Sequence, residues 1–195
     1  MSSSVYVRRF IYALKQGQVF TTKDVLQFGS RKAVDCALKR LVEKGHITRL
    51  SSGIFRYGAE TEPLPSPVEV AAIKAKAYGK KLTMHGDDLA TQCKLALPKP
   101  NSNTIAFWVD GASSSFRYGN LKIVFQSTSK RKMRLVKKGG AALSLAALWH
   151  IGKTKVTRNE ILRSLPTKAL EREQLKNALT QVPQWLSESY LKKPY

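Results

Sequence analysis

The sequence has few acidic side chains. Asp and Glu number 13 against 34 Lys and Arg in 195 residues, which gives a net charge of +21. Residues 1–60 hold 11 basic and 4 acidic side chains and residues 61–195 hold 23 and 9, so the excess is not confined to one tail. A charge this far beyond what solubility needs favours an anionic partner, and nucleic acid is the commonest one. A solvated basic surface and an anionic membrane surface are the alternatives.

Cysteine and long apolar runs are also scarce. Cys36 and Cys93 lie far apart and form no CxxC pair, which argues against a disulfide framework or a cysteine zinc site. Reduced thiols fit an intracellular protein. No run approaches the roughly 18 apolar residues of a membrane span, and Arg8 and Arg9 interrupt the segment where a secretory signal needs an apolar core. The sequence therefore predicts a soluble, cytoplasmic protein with no membrane partner.

Signatures of catalysis are lacking as well. "IGKT" at residues 151–154 resembles the end of a phosphate-binding loop, but the loop requires a glycine where Ala147 stands. The three histidines follow no metal-ligand spacing, and His150 is expected in a buried helix. His85, Asp87 and Asp88 form the one short cluster of residues that could bind a metal, but Asp87 and Asp88 are explained more simply as acidic residues at a helix N-terminus. We therefore expect no enzyme activity, no catalytic residue, no metal and no cofactor.

The N-terminal third contains a pattern of short helices and strands. Apolar residues recur at helical spacing over residues 4–16, a short second helix is expected over 22–28, and a third over 30–45. "HITRL" and "GIFRY" then predict the two strands of a hairpin. Three helices followed by a hairpin are typical of a winged helix-turn-helix, so we predict that residues 1–60 form a DNA-binding domain of this type.

The third predicted helix has the arrangement expected of a recognition helix, because its apolar residues share one stripe and its charged residues lie elsewhere. In its first turns Arg31 and Lys32 can donate to guanine, and Asp35 can accept from cytosine. Lys39 and Arg40 lie further along, where phosphates are the nearer target. The predicted DNA-binding residues are Thr22, Lys23, Ser30, Arg31, Lys32, Asp35, Lys39, Arg40, Arg49, Ser51, Ser52 and Arg56. The alternative is a protein-docking module with a solvated charged face.

The rest of the sequence predicts a second, larger domain. Three prolines in "TEPLPSP" indicate a linker at residues 61–67, and Ser66 with Glu69 forms a capping box at the start of a helix. Strands are expected over "TIAFWVDG", "ASSSFRYG" and "NLKIVFQS", and a buried helix over "GAALSLAALWHIG". The predicted fold class is α+β: the winged helix-turn-helix is joined to a mixed α/β domain, residues 68–195, with a small antiparallel sheet and helices.

The densest basic run is "SKRKMRLVKK", residues 129–138, which contains no acidic residue. Its cations are Lys130, Arg131, Lys132, Arg134, Lys137 and Lys138. The run could track DNA phosphates, dock an acidic partner such as a toxin, or form only a solvated loop and strand edge. The aromatic residues of the neighbouring strands are expected in the core rather than stacked on bases.

One long stretch and several later motifs resemble parts of a single known protein family. The stretch is "GSRKAVDCALKRLVEKGHITRLSSGIFRY", in which the informative positions are Ser30, Arg31, Ala33, Val34, Asp35, Ala37, Leu38, Arg40, Leu41, Val42, Gly45, Ile47, Arg49 and Gly53. The later motifs are "PSPVEVAAIKAKAYGKKL", "WVDG", "YGNLKI" and "ALWHIGK". Together they resemble the AbiEi family of antitoxins, from type IV toxin–antitoxin and phage abortive-infection systems. The resemblance covers most of residues 1–155.

The resemblance implies a bifunctional protein. In that family the winged helix binds inverted repeats upstream of the operon and represses it, and the C-terminal domain counters a toxin encoded next door, typically a nucleotidyltransferase. The expected partners are therefore double-stranded DNA with inverted repeats and a cognate nucleotidyltransferase toxin. Two alternatives stay open: a plain winged-helix transcriptional regulator whose second domain senses a ligand or oligomerises, and an RNA-binding protein.

Overall fold

The structure, a computed structural model, describes residues 2–58, 63–96 and 103–191. These residues form a mixed α+β fold, as predicted. The helices are α1 (Ser3–Tyr12), α2 (Thr22–Val25), α3 (Arg31–Glu43), α4 (Pro67–Ala77), α5 (Gly86–Gln92), α6 (Lys130–Lys138), α7 (Ala141–Ile151), α8 (Arg158–Arg163), α9 (Ala169–Leu179) and α10 (Gln184–Leu191). The strands are β1 (Val19–Thr21), β2 (Ile47–Ser51), β3 (Ile54–Tyr57), β4 (Leu82–Met84), β5 (Thr104–Val109), β6 (Ser114–Tyr118) and β7 (Leu121–Ser127).

The chain divides into two compact units. The first comprises Met1–Lys81, Asn103–Ile105 and Ser115–Ile123, and the second comprises Leu82–Ser102, Ala106–Ser114 and Val124–Tyr195. This division differs from the predicted domains 1–60 and 68–195, because α4 groups with the first unit and the chain returns to that unit twice more. The predicted linker at 61–67 begins within residues 59–62, which lie outside the described residues.

The first unit contains the three helices and the hairpin that the sequence predicted, and one strand that it did not. Its sheet has the order β1-β3-β2, and both strand pairs are antiparallel. Val7 and Ile11 of α1 are fully buried, as is Val34 of α3, and they share one core with Phe20 of β1. The assignment of this unit to the winged-helix class stays a prediction.

The sequence of α3 stabilises both of its ends and one of its faces. Ser30 precedes the helix, and its side chain accepts a hydrogen bond from the Ala33 N–H at 3.3 Å, which satisfies an otherwise unpaired donor. After the helix, Gly45 has a φ of +70°, a left-handed conformation that glycine adopts without strain. The buried stripe consists of Val34, Ala37, Leu38 and Leu41. The other side of the helix is therefore left for contacts outside the core.

The core of the second unit is built around α7. This helix is apolar nearly all round, and α5, α6 and α9 pack against it. The predicted buried helix is thus confirmed. It has only 11 residues. Over the described ranges, no helix is long and apolar enough to cross a membrane.

A four-stranded sheet has the order β4-β5-β7-β6, with β4 antiparallel to β5. The aromatic residues expected in the core are buried there: Phe107, Trp108, Phe116, Tyr118 and Phe125. The capping box predicted at Ser66 and Glu69 starts α4, and a second one, between Thr157 and Glu160, starts α8.

The basic run 129–138 is neither a loop nor a strand edge, so that interpretation of it was wrong. Lys130–Lys138 form α6, and the Ser129 side chain caps it by accepting from the Lys132 N–H at 3.3 Å. Leu135 is fully buried while most of the cations are exposed. The run is helical because Leu135 and, in part, Val136 pack into the second unit's core.

Candidate nucleic-acid interface

The outward face of α3 carries five of the twelve predicted DNA-binding side chains. Arg31, Lys32, Lys39 and Arg40 are all exposed, on the side opposite the buried stripe, and Asp35 is exposed among them. The 3.6-residue period of the helix places these side chains on a single surface. Four cations on one face give a positive potential that an anionic partner can neutralise.

A groove lies between this face of α3 and the β2–β3 hairpin. It has a volume of about 480 Å³ and is open to solvent. The predicted residues that line it are Thr22, Arg31, Asp35, Lys39, Arg49 and Ser52. Apolar side chains of the first unit's core, among them Leu38 and Phe55, line it as well. The fold therefore brings residues of the helix and of the hairpin turn to one site.

Two ion pairs along α3 partly offset its positive charge. Arg31 Nε lies 2.8 Å from Asp35 Oδ2, and Lys39 Nζ lies 3.8 Å from Glu43 Oε1. All four side chains are at least half exposed, and exposed pairs of this spacing contribute only about 0.3–0.5 kcal/mol. Such a pair opens readily, so both cations can exchange their carboxylate for a phosphate or a base edge.

Three of the predicted DNA-binding residues are buried, which makes their predicted role wrong. Arg56 is only 2% exposed, because β3 is the central strand of its sheet. The Ser51 hydroxyl is turned inward and donates to the Arg117 carbonyl at 2.6 Å. Thr22 lies behind the hairpin turn, where its N–H donates to the Gly53 carbonyl at 3.0 Å. The side chains of Arg56 and Ser51 therefore cannot reach a DNA backbone, and Thr22, although it lines the groove, is only 5% exposed.

Two further predicted residues are exposed but already have local partners. The Lys23 ammonium lies 4.4 Å from the centre of the Tyr78 ring, a cation–π contact. Ser30 is exposed, and its hydroxyl caps α3. Both side chains are therefore already engaged within the protein.

The exposed face of α6 is a second basic surface. Lys130, Arg131, Arg134, Lys137 and Lys138 are exposed and share one face of the helix. Lys132 differs from them because it is half-buried, with its ammonium 5.4 Å from the Trp108 ring and 5.1 Å from the Trp149 ring. Burial lowers the pKa of Lys132. It belongs to the packing of the second unit rather than to the exposed surface.

A protein-family model described as "Family of unknown function (DUF6088)" matches residues 7–178. The chain belongs to the DUF6088 family. A solved structure, the crystal structure of the RV2827C protein from Mycobacterium tuberculosis, is similar to the DUF6088 chain over 99% of this chain and 82% of that one, at 14% identity and a TM-score of 0.37. No curated protein matches the chain.

The second unit of the DUF6088 chain contains a polar cluster that sequence reasoning missed. His85, Asp87 and His150 come together, although Asp87 and His150 are 63 residues apart in sequence. His150 lies on the buried helix α7, as expected, and its Nε2 is 2.9 Å from Asp87 Oδ1, which satisfies the ring with a hydrogen bond. Burial lowers the pKa of His150, and the hydrogen bond to Asp87 opposes that effect. The sequence does place His85 and Asp87 in one short cluster of metal-capable groups, but it gives no signal for His150, which is 63 residues from Asp87.

The two cysteines of the DUF6088 chain are free, as predicted, and they differ in exposure. Cys36 is exposed on α3, within one turn of Lys32, Lys39 and Arg40. Cys93 is half-buried in the second unit, and burial raises the pKa of its thiol. Cys36 therefore offers a chemical probe of the α3 surface, and Cys93 offers its internal control.

Proposed function

We propose that this protein binds double-stranded DNA through α3 and the β2–β3 turn, and that it is the autorepressor and antitoxin of a toxin–antitoxin operon. One observation carries the DNA-binding half: Arg31, Lys39 and Arg49 line a single open groove on the outer side of a helix whose inner side is core. A recognition helix requires this division between a packed face and a cationic face.

The exposed residues have separate roles in this proposal. Arg31 and Lys32, in the first turn of α3, donate to the O6 and N7 atoms of guanine, and Asp35 accepts from the amino group of cytosine. Lys39, Arg40 and Arg49 bind phosphates and fix the position of the helix on the duplex. The exposed cations of α6 add phosphate contacts, which lengthen the bound stretch of DNA.

The antitoxin half rests on the resemblance of the sequence to AbiEi-family antitoxins. The proposed partner is a nucleotidyltransferase toxin encoded beside this gene, and the proposed operator contains inverted repeats. Co-expression tests this half directly: a neighbouring nucleotidyltransferase-like gene should stop growth alone and permit growth together with this protein. If growth arrest persists in the presence of this protein, the antitoxin role is excluded and only the role of transcriptional regulator is left.

The DNA-binding half is tested by titrating the purified protein against its own upstream DNA and a scrambled duplex at several salt concentrations. We expect tighter binding to the upstream DNA at near-physiological salt. Equal binding to both duplexes with a steep salt dependence would show only general phosphate attraction by a chain of charge +21. Preference for structured RNA over both duplexes would favour the RNA-binding alternative.

Cys36 allows the contact surface to be located independently of affinity. In a Cys93→Ser chain the single remaining thiol lies on the exposed face of α3. We expect the upstream duplex to slow the reaction of this thiol with a maleimide, because bound DNA covers the face. In the matched Cys36→Ser chain, the Cys93 thiol should react at the same rate with and without DNA. An unchanged rate at Cys36 would place the DNA elsewhere.

A further inference from the structure

Three metal-binding side chains meet in the second unit. His85 directly precedes α5, Asp87 lies in the first turn of that helix, and His150 lies in the last turn of α7. Nδ1 of His85 is 3.2 Å from Oδ2 of Asp87, and Nε2 of His150 is 2.9 Å from Oδ1 of the same carboxylate. One ligand atom from each of the three residues lies within 4.8 Å of the other two.

The hydrogen bonds of His85 leave one of its ring nitrogens without a proton. Its Nε2 lies 2.5 Å from Oε1 of Gln126, an atom that only accepts, so Nε2 is the donor. In the neutral ring, Nδ1 therefore has a lone pair, and it accepts from the Asp87 N–H at 3.3 Å. The same lone pair faces Asp87 Oδ2 at 3.2 Å. A positive charge between these two atoms, either a proton on Nδ1 or a bound cation, would stabilise their close approach.

The surroundings hold both imidazole rings in place. The Trp108 ring packs edge-on against them, with its centre 5.7 Å from that of His85 and 5.4 Å from that of His150. Gly86 allows the His150 ring to lie directly on the backbone, since a Cβ atom there would come within 2.1 Å of the ring. The bond from His85 to Gln126 is the kind of outer partner that orients a metal-binding histidine. Both imidazole rings are therefore held close to the Asp87 carboxylate before any ion binds.

We propose that Nδ1 of His85, the carboxylate of Asp87 and Nε2 of His150 bind one zinc ion. Zinc–nitrogen bonds of about 2.0–2.1 Å in a tetrahedral site place neighbouring ligand atoms roughly 3.3 Å apart. Each imidazole lies at about this distance from one oxygen of the carboxylate, 3.2 Å for His85 and 2.9 Å for His150. One ligand atom from each residue lies within 4.8 Å of the other two, so a bound ion would draw the three groups slightly closer together. The side chains of Asp87 and His150 are 33% and 23% exposed, so water reaches the ion as a fourth ligand.

The chemistry of the ligands selects the ion. Two imidazoles and one carboxylate suit zinc and its transition-metal neighbours, whereas calcium and magnesium require mostly oxygen ligands. Zinc binding requires His150 to carry its ring proton on Nδ1, because Nε2 must offer its lone pair to the ion. The Lys132 ammonium, which lies over the Trp108 ring, opposes the added positive charge and moderates the affinity. The ion would tie the start of α5 to the end of α7.

The test is a calorimetric titration of the whole chain with Zn²⁺ after chelator treatment. We expect one saturable site, a rise in melting temperature with added Zn²⁺, and no such rise with Mg²⁺ or Ca²⁺. Asp87→Asn keeps the size of the side chain and should weaken binding at least about tenfold, as should His150→Gln. His46→Gln is the matched control, because it removes the exposed histidine of the first unit and should leave binding unchanged.

Three results would overturn the proposal. The first is that the intact chain shows no saturable Zn²⁺ binding, and the second is that the Asp87→Asn variant binds Zn²⁺ as well as the natural chain does. The third is that Zn²⁺ binding is abolished when Cys36 and Cys93 are both replaced by Ser. Either of the first two results would show that His85, Asp87 and His150 form hydrogen bonds but bind no zinc. The third would assign the ion to the cysteine thiols. The circular dichroism of each variant confirms that it is folded, and Asp87→Asn carries the test if His150→Gln does not fold.

Discussion

Arg49 and Arg56 lie on neighbouring strands of the same hairpin, and they differ in burial. Arg49 is exposed and lines the groove beside α3, while Arg56 is 2% exposed on the central strand β3. Burial raises the pKa of the Tyr118 phenol, and the nearby Arg56 guanidinium partly opposes that rise. A buried guanidinium is stable only when its charge and donors are matched within the protein.

Arg56→Ala is therefore expected to weaken the fold rather than the contact with DNA. Removal of a buried, partnered side chain should lower the free energy of unfolding by about 1–3 kcal/mol, whereas Arg49→Ala should change it by no more than about 0.5 kcal/mol. Urea unfolding of the two variants measures this difference. An Arg56→Ala protein as stable as the Arg49→Ala protein would contradict the structural role.

Arg31→Ala is expected to relax sequence preference. A guanidinium that donates to a guanine edge contributes about 1–3 kcal/mol of discrimination, so the ratio of upstream to scrambled affinity should fall by that amount. Lys39→Ala, on the same helix, should weaken both duplexes alike, because a phosphate contact carries no sequence information. Arg163→Ala on α8 controls for the removal of one charge. A specificity ratio that survives Arg31→Ala would remove Arg31 from base reading.

At this scale the sequence predicted the exposed residues of α3 correctly and several residues of the hairpin wrongly. A helix with one apolar stripe leaves its charged side exposed, which the 3.6-residue period reveals. The hairpin offers no such signal, because Ile54, Phe55 and Arg56 are consecutive and all buried. A strand covered on both faces loses the alternation that would identify an inward arginine. The His150–Asp87 pair was invisible because it depends on packing between distant segments.

The start of α4 is held by a capping box that titrates. The Ser66 N–H and hydroxyl donate to Glu69 Oε2 at 2.7 and 2.8 Å. These bonds favour the ionised carboxylate, so they hold the pKa of Glu69 below its ordinary value of 4.5. A carboxyl group whose pKa is lowered by folding stabilises the fold above its unfolded-state pKa, and this stabilisation is lost as pH falls through the folded-state value.

The stability difference between the natural protein and Glu69→Gln should therefore be constant near neutral pH and shrink as the pH falls below 4.5. Thermal unfolding at a series of pH values measures it. Ser66→Ala removes one of the two bonds and should make the pH dependence smaller. A difference that stays flat through this range would mean that the carboxylate charge does not contribute to the cap.

The α6 helix places its cations unfavourably for its own stability. Three of them lie in the first turn, near the positive end of the helix dipole, and no acidic residue offsets them. A phosphate at this surface would relieve the repulsion. This physical cost is the reason to test α6 as part of the DNA contact rather than to treat it as a solvated face.

Replacing Lys130, Arg131 and Arg134 by Gln should lower the slope of log affinity against log salt by about 0.9 for each DNA phosphate that the variant no longer neutralises. Lys132 is left intact because it packs on two indole rings. The matched control replaces three exposed cations that follow α7 in the chain: Lys153, Lys155 and Arg158. Equal slopes for the two triple variants would show that only overall charge matters and would assign α6 to a protein partner.

Element prediction succeeded where periodicity was long enough to detect. The helices near the N-terminus, the apolar α7 and the strands β5 to β7 all carry a pattern over five or more residues. β1 and β4 have only three residues each, which is too short to show alternation, and they were missed. α6 was left open because its charges obscure the single buried leucine that anchors it.

The first unit is assembled from three separate segments of the chain. The hairpin is fixed by groups beyond residue 60: Arg117 accepts from Ser51, and the Lys74 ammonium donates to the Ser52 carbonyl at 3.1 Å. The Tyr118 hydroxyl also donates to the Pro65 carbonyl at 2.6 Å. Proline content predicted a boundary at 61–67, but composition does not reveal contacts that the chain makes later.

A fragment of residues 1–60 is therefore expected to be less stable than the same residues within the whole chain. Amide hydrogens of β2 and β3 should exchange faster in the fragment, since the hairpin loses the groups that hold it. Hydrogen exchange followed by mass spectrometry compares the two directly. Equal protection would show that the first 60 residues fold independently of residues 115–123.

This discontinuity has a consequence for the order of events during translation. Ser51 and Arg117 are 66 residues apart, so the hairpin is synthesised well before its partner. At a rate of about 5–20 residues per second, the interval is roughly 3–13 s. A growing polypeptide displays the cationic face of α3 throughout that interval without the strand that supports its hairpin. Premature termination in the middle of the message should thus release an incomplete first unit rather than a stably folded one.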